Sequence, residues 1–404
     1  MSDVKRGAQV SPGAGLSSSQ KVLSFLLEQD HPVSRPEIAL ACDLSRPTVF
    51  AAIERLTDLD LVTDVGQRVG LPGRSASLYE VSDRAGVGVG VDIGGSNIRV
   101  ALTDARGQVV AETRVATSAA GGRAIAGQVV SLVRRVTAGT ALGAGVPTVV
   151  GVSVPGVVDP DGATVRYAWN IGQSGPFDLR TPLEKALRTQ VVLDNNVNLA
   201  AVGEQWQGAA QHLSTFAVIA VGAGVGAGIV HEGQLLRGAH GAAGEVAFLP
   251  LSADYQRRRA ASPDEAGGLI LLEKARAHVG WQGSGPPTSV EELFERAARG
   301  EAPAVALVEE ESRRIAAITA SICAIIDPET VILAGGVGAN EALVARTGQL
   351  VDELAPFPPT VVRSALGDRA SLVGAVALAV RRTRERLVAA AGEPHATGIS
   401  QSLP

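Results

Sequence analysis

The sequence predicts a small, mainly helical winged helix-turn-helix head followed by a much larger α/β domain. Three observations carry this. Residues 18–81 hold three short amphipathic stretches separated by polar caps. From Gly86 onward, apolar strand-like runs alternate with helical patterns, as in α/β architectures. The 404 residues also exceed what one hydrophobic core usually organises.

In the head, Val22, Leu23, Phe25, Leu26 and Leu27 mark a first helix within Ser18–Asp30, with Ser19 as its candidate cap. Ser34 followed three residues on by Glu37 is a capping-box pattern and opens a second helix that ends near Cys42. Ser45 caps a third, running through Thr48, Val49, Ile53, Leu56 and Leu59. Pro47 lies in its first turn, where a missing N–H costs little. The second and third helices are spaced as a helix-turn-helix. Leu61-Val62 and Leu78–Val81, around a loop with Gly66, Gly70 and Gly73, read as the two strands of a wing. Residues 1–17 and 389–404 read as disordered tails, and the α/β domain spans 85–388.

That second domain opens with Val87–Val91, an apolar run without alternation, as in a sheet covered on both faces. Ile98–Leu102 follows, and Asp104–Gln108 reads as a hairpin turn. Further strands are expected at Thr148–Val154, Val191–Leu193, Phe216–Ala220 and Thr330–Leu333. Helices are expected at Ala124–Thr137, Asn198–Gln207, Val290–Arg299, Ala304–Ile326 and Ala370–Val388.

Composition narrows the function. With 46% hydrophobic and 19% charged residues most of the chain should fold, while 3% aromatics make a base-stacking surface a poor expectation. The net charge of −5 means that any DNA contact must come from locally placed Arg and Lys. Cys42 and Cys323 are too few and too far apart for a disulfide framework or a Cys-rich zinc site. No apolar run approaches a membrane span and the first residues do not resemble a signal peptide, so a soluble cytoplasmic protein is expected.

Three glycine-rich segments follow strands. In Asp92-Ile-Gly94-Gly95-Ser96 the glycines allow close approach of a phosphate, Ser96 adds a donor, and Asp92 suits a metal-bound water. A plain hairpin turn explains the segment equally well. Gly222 to Gly228, with Gly224, is a second candidate phosphate loop, and Gly335-Gly336 a third turn where a nucleoside could lie. None has the spacing of a dinucleotide fingerprint or a Walker A loop. Pro155 spoils a nucleophile elbow at Gly151–Pro155.

Together with Val154-Pro-Gly-Val-Val-Asp159, Trp169-Asn-Ile171, Asp194-Asn-Asn-Val-Asn198 and Gly238-Ala-His-Gly-Ala-Ala-Gly-Glu245, these segments resemble, in order, the ROK family (repressor, open reading frame, kinase) across residues 86–385. The resemblance implies an actin-like, sugar-kinase fold of two lobes around a cleft. It implies sugar contacts at Gly156, Asn170, Asn195 and Glu245, with Asn196 beside them. If nucleotide binding is retained, phosphate contacts fall at Asp92, Gly94, Gly95, Ser96, Gly222, Gly224, Gly335 and Gly336. Two departures follow from the same resemblance. The family's kinases carry an Asp base where this chain has Asn196, and an amide cannot take a proton as a carboxylate does. Phe248 replaces a His of the family's zinc site, and Ser252–Gly267 lacks Cys and His, so no structural metal is expected. Phe248 reads as core filler or as a sugar-stacking ring. Asp194 is expected to point elsewhere rather than replace the missing base.

The head suits the family's repressors. Arg35, Arg46, Thr48 and Arg55 are candidates for operator contacts, with Arg68 and Arg74 on the wing. Residues 1–80 hold eight Lys and Arg against ten Asp and Glu, so a head that binds protein rather than DNA stays open. The expectation is a dimeric or tetrameric regulator, a repressor of carbohydrate genes, that binds operator DNA and a sugar or sugar phosphate with a non-catalytic sensor. An active ATP-dependent sugar kinase with an accessory head is the alternative.

Overall fold

A computed structural model describes residues 15–68, 76–139, 142, 147–173, 175–251, 267–281 and 285–392. The head comprises α1 (Ser18–Leu27), β1 (Val33–Ser34), α2 (Arg35–Cys42), α3 (Arg46–Asp58), β2 (Val62–Arg68) and β3 (Ala76–Val81). Strands β2 and β3 pair antiparallel as the wing, and β1, which the sequence does not announce, adds to β3. Ser17, not Ser19, caps α1, its hydroxyl accepting from the Gln20 N–H. Ser45 caps α3, accepting from Thr48.

The first lobe holds β4 (Val87–Ile93), β5 (Asn97–Asp104), β6 (Val109–Ala116), α4 (Gly122–Ala138), β7 (Val149–Val154), β8 (Val157–Val158), β9 (Thr164–Arg166), β10 (Phe177–Asp178), α5 (Arg180–Leu187), β11 (Gln190–Asn195) and α6 (Asn196–Gln207). The second holds β12 (Phe216–Val221), β13 (Val225–His231), β14 (Gln234–Leu235), α7 (Gly268–Ala277), α8 (Val290–Ala298), α9 (Ala302–Ile326), β15 (Thr330–Ala334), α10 (Gly335–Gly338), α11 (Glu341–Leu354), β16 (Thr360–Arg363) and α12 (Ala370–Gly392).

The two main sheets share one topology. The first runs β11-β7-β4-β5-β6 and the second β16-β15-β12-β13-β14: a central strand with two antiparallel strands on one side and two parallel ones on the other. The turn at Gly94–Ser96 and the turn at Gly222–Gly224 are therefore equivalent positions of a duplicated lobe. Val87–Ile93 is buried throughout save Asp92, as a strand covered on both faces must be.

Between the lobes, α6 and α12 pack against each other, with α12 lying on β4, β5 and β7 and α6 on β12 and β13. Their approach requires bare backbone. A Cβ on Gly374 would sit 1.7 Å from the Leu199 carbonyl oxygen, and where α12 lies on β7 a Cβ on Gly151 would sit 2.4 Å from that of Ala375.

Helix α12 also completes the head. Leu387 and Ala391 share a buried cluster with Val22, Leu23, Leu26, Ile53 and Leu56. Gln20 Nε2 donates to the Val388 carbonyl at 3.0 Å. Arg384 donates to the carbonyls of Ala105 and Arg106, and Arg106 pairs with Glu80 at 2.9 Å. The tail expected from 389 thus begins inside a helix, because Ala391, 1% exposed, fills a gap in the head's core. The rest of the expected tails, 1–14 and 393–404, lies outside the described residues.

Candidate functional site: an interlobe cleft and a helical head

A cavity of about 650 Å³ opens between the lobes. Gly156, Asn170, Asn195, Asn196, Glu245, Gly222, Gly224 and Gly335 all line it. Asp92, Gly94, Gly95, Ser96 and Gly336 do not. Gly95 backs onto the cleft wall: a Cβ there would lie 3.1 Å from the Asn170 carbonyl oxygen. Asp92 accepts from the Ser153 hydroxyl at 2.8 Å; burial pushes its carboxyl above the ordinary range, opposed by that bond and by the Arg99 charge. Arg99 in turn pairs with Asp368, which lines the cavity.

Several expected contacts have scaffold duties. Asn195 ends β11, and its Oδ1 accepts from the N–H groups of Val197 and Asn198 while Nδ2 donates to the Gly156 carbonyl at 2.8 Å. It is the N-cap of α6 and ties that helix to the Gly156 turn. Gly156 has φ 99°, and a Cβ would lie 2.3 Å from the Arg166 carbonyl oxygen, so the β9 end packs on its bare face. Gly226 and Gly228, read as part of a phosphate loop, are strand residues. A Cβ on Gly228 would lie 2.5 Å from the Val197 carbonyl oxygen, so they let α6 settle on β13. Only Gly222–Gly224 forms the turn, and its carbonyls at Gly222 and Ala223 accept from the first N–H groups of α7.

Asn196, the first residue of α6, lines the cavity, and its side chain makes no hydrogen bond among the described residues. Its carbonyl accepts from Ser371 Oγ at 3.0 Å, joining the start of α6 to the start of α12. Asp194 does not line the cavity. It takes Nε and Nη2 of Arg237 at 3.0 and 2.8 Å and Nδ2 of Asn198 at 3.0 Å. The neighbouring carboxylate is thus held behind the wall by these partners. Arg237→Ala should cost about 1.5–3 kcal/mol, the usual worth of hydrogen bonds to a charged group, read as a lower denaturant midpoint with unchanged slope.

Phe248 is not core filler. It stands 41% exposed on the cleft wall, with Tyr167 at 47% and Trp169 at 44%. Sequence reasoning missed Tyr167 and Trp169 as lining residues, and also Asp368, Glu273 and Ser371. Two rare aromatics flanking Ala168 just before Asn170 were the available signal. Among the described residues no cluster of three His, Cys, Asp or Glu is placed to hold a metal. Residues 252–266, on which part of the zinc expectation rests, lie outside them.

On the head, Arg46 is exposed in the first turn of α3. Arg55, nine residues on, lies two and a half turns away on the opposite side. It donates to the Ala391 carbonyl at 3.3 Å and faces α12, not a groove. The guanidinium of Arg35 lies over the rings of Phe50 and Tyr79, at 4.6 and 4.9 Å. Thr48 Oγ1 is 2.7 Å from the hydroxyl of the capping Ser45. Arg68 ends β2, and Arg74 lies outside the described residues.

The ROK family profile matches residues 88–382. The chain belongs to the ROK family. A glucokinase from Halalkalibacterium halodurans is 33% identical to this ROK chain over 162 residues, 40% of this chain and 49% of its own. NagC, a DNA-binding transcriptional dual regulator of Escherichia coli, is 25% identical over 383 residues, 88% of this chain and 90% of its own. The ROK chain spans only about half the length of the first curated relatives, 49 to 58%. A solved ROK family transcriptional regulator, a homolog of the E. coli MLC protein, superposes with TM-score 0.72 at 19% identity, covering 92% of this chain and 97% of its own. That likeness establishes the shared fold. No described helix is long and apolar enough to cross a membrane.

Proposed function

We propose that this ROK chain is a sugar-responsive, DNA-binding transcriptional regulator whose sensor does not phosphorylate its ligand. One observation carries the reading: α12 starts on the cleft, where Ser371 holds Asn196, and ends inside the head's core, where Val388 and Ala391 take Gln20 and Arg55. A change in lobe closure moves α12 and with it the head. The effector is a sugar or sugar phosphate and the partner operator DNA, read by two or more copies through Arg46 and the wing. A ligand that binds the closed and open lobes equally would shift nothing, so the response requires differential affinity. Similarity to NagC over nearly the whole chain supports this reading.

The glucokinase likeness and the glycine turns favour a second reading, an active sugar kinase. A coupled ADP-release assay over a panel of hexoses separates the two. Under the regulator reading, turnover stays at the ATP-hydrolysis background for every sugar; rates typical of enzymes, about 1–10³ s⁻¹, would overturn it. Gel-shift titration against the DNA upstream of its own gene tests the regulatory half. A retarded complex weakened by one sugar is expected; no complex at low salt, where electrostatic binding is strongest, would count against it.

A further inference from the structure

Three of the five exposed aromatic side chains among the described residues stand on one wall of the cleft: Tyr167, Trp169 and Phe248. Tyr167 is edge-on to Trp169 with centroids 5.4 Å apart and tilted to Phe248 at 6.4 Å. They form one patch drawn from both lobes, since Phe248 follows β14 and the other two precede Asn170. Water-exposed aromatics inside a cavity gain by covering an apolar ligand surface.

The backbone is bent to place them. Tyr167 has φ 57°, a left-handed conformation unusual for a bulky residue. The segment is seated on the bare face of Gly156, where any Cβ would meet the Arg166 carbonyl oxygen. Such strain persists where the surroundings impose it and is concentrated at ligand clamps. Next to this wall stand polar groups: the Asn170 and Asn196 amides, without side-chain partners among the described residues, and Glu245. One end of the site therefore offers hydrogen bonds and the other an apolar surface of three mutually inclined rings.

We propose that the cleft recognises a glycoside rather than a free monosaccharide. The glycosyl ring lies against Asn170, Asn196 and Glu245, and the aglycone, a second sugar ring or an aryl group, lies against Tyr167, Trp169 and Phe248. The inference rests on the sugar-sensing reading but is tested without DNA.

The full chain is titrated, by tryptophan fluorescence and thermal shift, with matched sets: glucose, cellobiose, maltose and the phenyl glucosides; xylose and xylobiose; N-acetylglucosamine and chitobiose. In at least one set the disaccharide or the phenyl glycoside is expected to bind tenfold or more tighter than its monosaccharide. The two arms distinguish a sugar ring from an aryl group as the preferred aglycone. Trp169→Ala and Tyr167→Ala should lower disaccharide or phenyl-glycoside affinity at least fivefold more than monosaccharide affinity, and Trp169→Phe should retain the difference. Circular dichroism confirms that the variants fold, and thermal shift replaces fluorescence for those lacking Trp169. Equal or tighter binding of monosaccharides, equal loss for all ligands on Trp169→Ala, or no binding by any probe would overturn the proposal. If monosaccharides bind best and still release operator DNA, the glycoside inference fails and the regulator reading stands. If glycosides bind as stated and leave DNA binding unchanged, the reverse holds.

Discussion

Asn196→Asp is expected to gain ATP-dependent phosphorylation of a bound sugar, by about 10²–10⁴-fold over the parent chain, the usual worth of a positioned general base. The change is isosteric, and the residue already lines the cavity with no side-chain hydrogen-bond partner among the described residues. A carboxylate at this position can take the hydroxyl proton as the phosphoryl group departs. In the parent, Asp194 is held by Arg237 and Asn198 behind the wall, and Asp368 is paired with Arg99. The coupled ADP-release assay reads the gain at saturating sugar. A parent chain that already turns over at the variant's rate would show that Asn196 does not limit the chemistry, and the non-catalytic reading would fall. A variant that binds sugar and ATP yet gains nothing would mean that the turns at Gly94–Ser96 and Gly222–Gly224 no longer place the phosphates.

Gly374→Ala should be the most destabilising single-methyl change among the described glycines. Its Cβ would lie 1.7 Å from the Leu199 carbonyl oxygen, a backbone atom of a helix packed on a sheet. No rotamer relieves that contact, so α6 and α12 must separate. Forced overpacking of a core costs about 1–3 kcal/mol and sometimes more, here with added loss from the interlobe seam. Gly127→Ala is the control. It lies within α4 with nothing within 4 Å of its Cβ, and alanine there should stabilise by up to about 1 kcal/mol through helix propensity. Urea midpoints on the two variants check both signs. A Gly374→Ala midpoint equal to that of the parent would refute the close packing of α6 on α12.

Much of the architecture is legible from local chemistry. Ser45 and Pro47 mark the start of α3, and the unalternating Val87–Val91 run marks a strand buried on both faces. The duplicated topology of the two sheets is not legible, because strand order is set by contacts far apart in sequence. The end of α12 was misjudged for a related reason. Small polar-flanked residues near 390 read as a tail, whereas Ala391 is held by the head, with Arg55 336 residues earlier in the chain. In the cleft, the resemblance to the ROK family pointed to Asn170, Asn195, Asn196 and Glu245, which all line the cavity. It could not tell that the Asn195 amide caps α6, nor that Gly226 and Gly228 serve helix packing. Arg55 illustrates a helix-face error: its place on α3 counts against a groove contact once the period of 3.6 is applied from Arg46.

The central claim is that ligand in the cleft reaches the head through α12. It is tested most directly by operator affinity, measured by fluorescence anisotropy with and without saturating ligand, in the parent chain and in the Gln20→Ala, Arg55→Ala double variant. The parent should bind operator about 5–150-fold more weakly with ligand, the usual range of allosteric coupling. The double variant, which removes both hydrogen bonds from the head to Val388 and Ala391, should bind ligand normally and lose most of that ratio. An operator affinity in the parent that is the same with ligand bound and without it would contradict the account.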